Sequence, residues 1–279
     1  MFEFLVDPFT CESCGFMQRA LAGGTLVGVS AAVAGTWVVL RGLSFMGDAV
    51  AHGVLPGIAI AYLMGASLAF GGAVSALVMI LAIAWIGRRT TLGDDASIGL
   101  LFVGMLALGI VIISKGGAYA GDLTAILFGD AVGVSVGDVQ AAAIGAAVTI
   151  VVSSVFYRPF LAVSFNEDKA QLLGMHPRLA HLGQLALLAL VIVFSFQTVG
   201  SLLVFALIIA PPATASLLAR RVPAMMVTAA VLAMLAVVVG LLASYHFATA
   251  GSASIALASV VLFFLVAVGR DIGRVAAHS

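Results

Sequence analysis

Asp48 and His52 are the two residues of this chain best placed to do chemistry. They stand four positions apart inside a largely apolar run from Leu43 to Gly57. On a helix, positions i and i+4 share one face, one turn apart. A carboxylate and an imidazole so placed offer one oxygen and one nitrogen donor, half of a site for zinc, manganese or iron. An aspartate at membrane depth costs at least about 2.5–3.5 kcal/mol on insertion scales, and residues that bear this cost mark ion or substrate paths. The pair also reads as a proton relay, because histidine titrates near neutral pH. A third reading is a hydrogen-bonded pair that only fixes helix packing. Two donors on one helix do not complete a tetrahedral shell. The remainder comes from another helix, from water or from a symmetry mate, and a twofold axis beside this helix would give two Asp and two His.

The elements that hold this pair follow from composition. Of 279 residues, 63% are hydrophobic and 9% charged, against about 45–50% and about 25% in an average soluble domain. Mean hydropathy is +1.25. So few charges do not cover a soluble surface, which excludes a soluble enzyme, a disordered chain and a nucleic-acid binder. The expectation is an all-α polytopic membrane protein, one domain over 1–279 with its membrane bundle in 19–275. Apolar stretches of membrane length fall at 20–40, 44–64, 68–87, 96–114, 138–157, 180–197, 199–219, 222–245 and 252–269. That makes nine helices, with eight as the alternative count. The weakest division lies within 180–219, where Phe196, Gln197, Thr198 and Gly200 form a soft break.

Charge placement orients the bundle. With the N-terminus outside, ten of the twelve basic residues fall inside: Arg41, Arg88, Arg89, Arg158, Lys169, Arg178, Arg220, Arg221, Arg270 and Arg274. Only Arg19 and Lys115 fall outside. This asymmetry predicts an outside N-terminus and a cytoplasmic C-terminus. Residues 1–18 carry Glu3, Asp7 and Glu12 without an early basic residue, unlike a cleavable signal peptide. Pro56 sits inside the second span and Pro211-Pro212 inside the seventh. Interrupted helices line substrate paths in transporters, although membrane helices also tolerate proline without any such role.

The other titratable groups carry weaker signals. His176, His181 and His278 are expected in or beside solvated inside loops. His246, at the outer end of the eighth span, is a candidate for metal entry or a plain interfacial residue. Asp122, Asp130 and Asp138 read as cation-gathering or simple loop residues, and Asp94 and Asp95 as favourable charges at a helix N-terminus. Cys11-Glu12-Ser13-Cys14 has the spacing of a metal or redox pair, and equally of a small disulfide.

The longest inside loop, 158–181, contains Asn166 as an N-cap, then Glu167 and Asp168 in a first turn, and Gly174 as a stop with Pro177 beyond. A short cytoplasmic helix over 167–173 is predicted. It presents Ala170, Leu172 and Leu173 among charges, either to a soluble partner or to the membrane surface. No phosphate-binding loop occurs in the sequence. The chain is therefore expected not to be an enzyme, and any ATP hydrolysis belongs to a separate subunit.

These features together resemble the ABC-transporter permeases for zinc, manganese and iron. Phe16-Met17-Gln18-Arg19-Ala20-Leu21 is similar to their start. The run Leu40-Arg41-Gly42-Leu43-Ser44-Phe45-Met46-Gly47-Asp48-Ala49-Val50-Ala51-His52-Gly53-Val54-Leu55-Pro56-Gly57 resembles their most specific motif. Asp95-Ala96-Ser97-Ile98-Gly99, Ile126-Leu127-Phe128-Gly129, Val199-Gly200-Ser201-Leu202-Leu203-Val204 and Ala210-Pro211-Pro212-Ala213-Thr214-Ala215 continue the match in order, over nearly the whole chain.

The resemblance implies the fold of the cobalamin-importer class in a bacterial plasma membrane. It implies a second copy of the chain, cytosolic ATPase subunits, an extracellular metal-binding protein and no resident cofactor beyond the transported cation. Asp48 and His52 fall on the metal-contacting positions. Glu167, Asp168, Ala170, Leu172, Leu173 and Gly174 fall on the helix that meets the ATPase. Ala51 departs from the serine of many relatives, and Cys11 and Cys14 lie outside the pattern. Three rivals stand beside this reading. They are a same-fold permease for siderophores or cobalamin, a proton-coupled secondary carrier, and a membrane scaffold or receptor.

Overall fold

The computed structural model describes residues 15–89, 94–114, 133–165, 171–172 and 175–276. Ten helices make up the described fold: α1 (Gly15–Leu40), α2 (Ser44–Gly53), α3 (Leu55–Leu63), α4 (Leu68–Arg89), α5 (Asp94–Ser114), α6 (Val136–Val155), α7 (Tyr157–Phe165), α8 (Pro177–Leu218), α9 (Val222–Phe247) and α10 (Gly251–Ala276). Among the described residues there is no strand. Lipid offers no partner for backbone N–H and C=O groups, so a chain this apolar satisfies them within helices.

Among the described residues, eight segments are long and apolar enough to cross a membrane, with α2 and α3 together making one of them, Phe45–Leu63. Leu203–Leu218 is a shorter apolar helix. It is the second arm of α8, which is interrupted at Gly200 (φ 76°, ψ 166°). That conformation is essentially open only to glycine. The contacts show what the interruption does. Gln184 accepts a hydrogen bond from Arg41, just past the end of α1, and the Ile208 backbone lies against Gly35 of the same helix. A straight helix would separate positions 184 and 208 by about 36 Å, whereas 35 and 41 are about 9 Å apart along α1. The chain therefore folds back at Gly200, and Leu203–Leu218 makes a return pass. The two stretches read from sequence as 180–197 and 199–219 are these two arms.

α1 is the central post, and α6, α8 and α9 pack on it. Small residues set the spacing: Gly24 meets Val237, Gly28 meets Ala233, and Gly35 meets Ile208. Close approach of this kind replaces the hydrophobic drive that is absent between helices in lipid. Trp37 is fully buried. Its indole N–H donates to the Ser153 hydroxyl of α6 at 2.9 Å, and the rings of Tyr157 and Phe160 meet it edge-on. A buried tryptophan needs such a partner for its N–H. α2 to α5 form the neighbouring layer, joined to the post chiefly through α8.

Candidate functional site

The turn between α1 and α2 aims the site helix. Leu43 N–H bonds to the Val38 carbonyl and Gly42 N–H to the Val39 carbonyl, with Gly42 at φ 69°. This is a glycine-terminated helix cap that satisfies the last carbonyls of α1. α2 starts one residue later and runs only to Gly53. Its end follows from Pro56, which lacks an N–H for the carbonyl of His52 four residues back. Val54 N–H takes that carbonyl instead. The Gly53 carbonyl accepts from the buried Ser75 hydroxyl of α4 at 2.8 Å. His52 therefore sits in the last turn of a short helix whose final two carbonyls, of His52 and Gly53, are both paired.

Within α2, Nε2 of His52 lies 3.3 Å from Oδ1 of Asp48, and each side chain is 23% exposed. That partial exposure leaves the pair reachable by a small ion. The separation is informative. An oxygen and a nitrogen held at about 2.1 Å from one metal ion, at tetrahedral to octahedral angles, stand roughly 3.0–3.5 Å apart. The pair is thus spaced to close on a cation with little rearrangement. Nδ1 of His52 is buried and makes no hydrogen bond.

Aromatic rings frame the imidazole. Phe102 of α5 meets His52 edge-on, with ring centroids 5.5 Å apart. It also meets Phe45, two turns below His52 on the same face of α2, at 5.4 Å. Phe45 was accessible to sequence reasoning through its seven-residue spacing. Phe102 was not, because nothing in a sequence offset joins α5 to α2. On the other side of α2, Gly47 faces Phe205 and Ile208 from the return arm of α8.

The structure distributes the remaining candidates widely. Among the described residues no group of three or more His, Cys, Asp or Glu side chains converges. His246 is half-buried near the end of α9, edge-on to Tyr245. α9 packs on α1, α8 and α10, away from the pair. Asp138 is the third residue of α6 and forms a capping box with Ser135, which accounts for its charge locally. His176 is exposed at the start of α8. His181, expected solvated in or beside an inside loop, is not fully solvated. It lies inside α8, half-buried, with Nδ1 against the Arg41 guanidinium. α8 begins at Pro177, three residues before the expected 180, because proline is a favourable first-turn residue. Leu172 is helical and 87% exposed. Cys11, Cys14, Asp122, Asp130, Glu167, Asp168, Ala170, Leu173, Gly174 and His278 lie outside the described residues.

Comparison with known proteins identifies the family of the chain. The family model described as the ABC 3 transport family matches residues 13–270. The manganese transport system membrane protein MntC of Halalkalibacterium halodurans is 39% identical, covering 91% of this chain and 87% of the relative. A probable iron transport system membrane protein of Haemophilus influenzae is 37% identical over 95% and 96% of the two chains. Among solved structures, PsaBC from Streptococcus pneumoniae in complex with Fab superposes with a TM-score of 0.84, at 32% identity and 95% coverage of each chain. Sequence, relatives and fold coincide along nearly the full length, and the chain belongs to the ABC 3 transport family.

Proposed function

We propose that this chain is the membrane-spanning permease subunit of an ATP-driven importer for a divalent transition metal, with Asp48 and His52 contacting the ion in transit. The observation that carries the metal contact is the 3.3 Å spacing of a partly exposed carboxylate and imidazole inside an apolar bundle. Manganese is the first candidate, because relatives such as MntC are named for manganese transport. Iron follows from others, and the oxygen and nitrogen donors equally suit zinc.

A second copy about a twofold axis would double the donors to two carboxylates and two imidazoles. Few protein ligands suit a transport site, since a closed shell would trap the ion. An extracellular metal-binding protein delivers the cation, with the N-terminus outside and the C-terminus in the cytoplasm. The segment around Leu172 docks a cytosolic ATPase, which supplies the energy. His246, Cys11 and Cys14 are secondary candidates for cation entry.

The test is metal uptake into proteoliposomes holding this chain, its ATPase and its binding protein. Uptake that needs ATP and ignores a collapsed proton gradient is the expected result. Uptake that persists without the ATPase and stops with the proton gradient would establish a secondary carrier instead.

A further inference from the structure

Arg41 does more than mark a side of the membrane. Its guanidinium reaches α8, where Nη1 donates to Oε1 of Gln184 at 3.1 Å and to Nδ1 of His181. A guanidinium only donates, so Nδ1 of His181 is the acceptor at this contact. The same reasoning fixes the Gln184 amide, which turns its oxygen to Arg41 and its nitrogen away. That nitrogen donates to the Phe160 carbonyl at 3.3 Å and to the Ser164 hydroxyl at 3.1 Å. Ser164 closes the cluster by donating to the same carbonyl at 2.8 Å. Gln184 is 5% exposed, so water does not offer these groups an easy alternative. A buried amide satisfied on both sides holds its neighbours in one arrangement.

The position of the cluster gives it a role. Phe160 and Ser164 belong to the last turns of α7, which ends at Phe165. His181 and Gln184 belong to the first turns of α8, which begins at Pro177. The segment between them holds Leu172, on which the proposed ATPase docking rests. Both roots of that segment are thus tied to one side chain. On its other flank, Arg41 enters the Gly42 turn, and α2 with Asp48 follows within seven residues. From the placement of these bonds we propose that Arg41 is a positioning residue that couples the end of α7 and the start of α8 to the helix bearing Asp48 and His52. This inference rests on the permease reading above and extends it to one route of coupling.

The test compares Arg41→Ala, Gln184→Leu and the double variant with wild type, each in the assembled complex with ATPase and binding protein. Metal uptake and ATP hydrolysis are measured in the same proteoliposomes, and the readout is metal ions moved per ATP at equal amounts of assembled complex. The expected result is hydrolysis near wild type with that ratio down about tenfold, within the usual range of coupling between sites. The double variant should fall no further than the worse single one, as for residues acting in one relay. An unchanged ratio overturns the proposal. So does a ratio preserved while both activities drop together, or additive losses in the double variant. Failure of wild type to show ATP-dependent uptake would instead remove the permease reading itself.

Discussion

Gly35 of α1 packs directly against the backbone of Ile208 on the return arm of α8, and a β-carbon at position 35 would overlap the Ile208 carbonyl. The contact links the central post to the arm that faces Gly47, next to Asp48. Backbone cannot yield as a flexible side chain does, so Gly35→Ala forces the arm away. A loss of about 1–3 kcal/mol or more is expected, as for overpacking of a tight core. The thermal midpoint of the purified protein in detergent measures it. Gly104→Ala is the control, because no neighbouring element stands within 4 Å of its added methyl group, and its midpoint should equal or exceed the wild-type value, since alanine favours a helix interior over glycine.

Gly200→Ala should also destabilise, for a conformational reason. At φ 76° and ψ 166° a residue with a β-carbon bears strain of order 1–3 kcal/mol. The return pass depends on that conformation. Lower yield of folded protein and a lower thermal midpoint are expected, while a midpoint equal to wild type would contradict the role given to Gly200.

Phe102→Ala removes the ring that meets His52 and Phe45. Aromatic edge contacts are worth about 0.5–1.5 kcal/mol beyond area burial, so metal affinity should fall roughly two- to tenfold as the imidazole loses its support. Phe102→Tyr, which keeps the ring, should retain most of the affinity. Metal titration of the purified complex separates the two variants, and equal losses would assign Phe102 to packing alone.

The return pass also makes a topological prediction. With Leu203–Leu218 crossing back, the two ends of the chain lie on opposite sides of the membrane. A reporter after Ser279 should be active in the cytoplasm, and a single cysteine placed near Gly15 should react with an impermeant reagent from outside. Reporters on the same side at both ends would show that the second arm of α8 does not cross.

Much of this was legible in the sequence, because lipid leaves few solutions for an apolar chain. The positions of the membrane segments follow from the length of the apolar stretches, and the shared face of Asp48 and His52 from helix periodicity. What escaped were relations between elements distant in sequence. Arg41 registered as an inside charge and a motif residue, yet its partners His181 and Gln184 are more than a hundred positions away. The second span read as one helix. Pro56 signalled an interruption there, but the exact break depends on Ser75 of α4 taking the Gly53 carbonyl. Asp138 looked like a loose acid, because a capping box is identified only once the helix start is known.

The central claim is that Asp48 and His52 handle the ion. ATP-dependent uptake of manganese and zinc by reconstituted complexes carrying Asp48→Ala or His52→Ala, beside wild type, tests it most directly. Both ligands must be deprotonated to bind, so wild-type uptake should also weaken in acid. The account predicts that each substitution abolishes uptake while the complex still assembles and hydrolyses ATP, and that the faster wild-type cation names the substrate. Normal transport by both variants would make the pair a packing contact and contradict the mechanism.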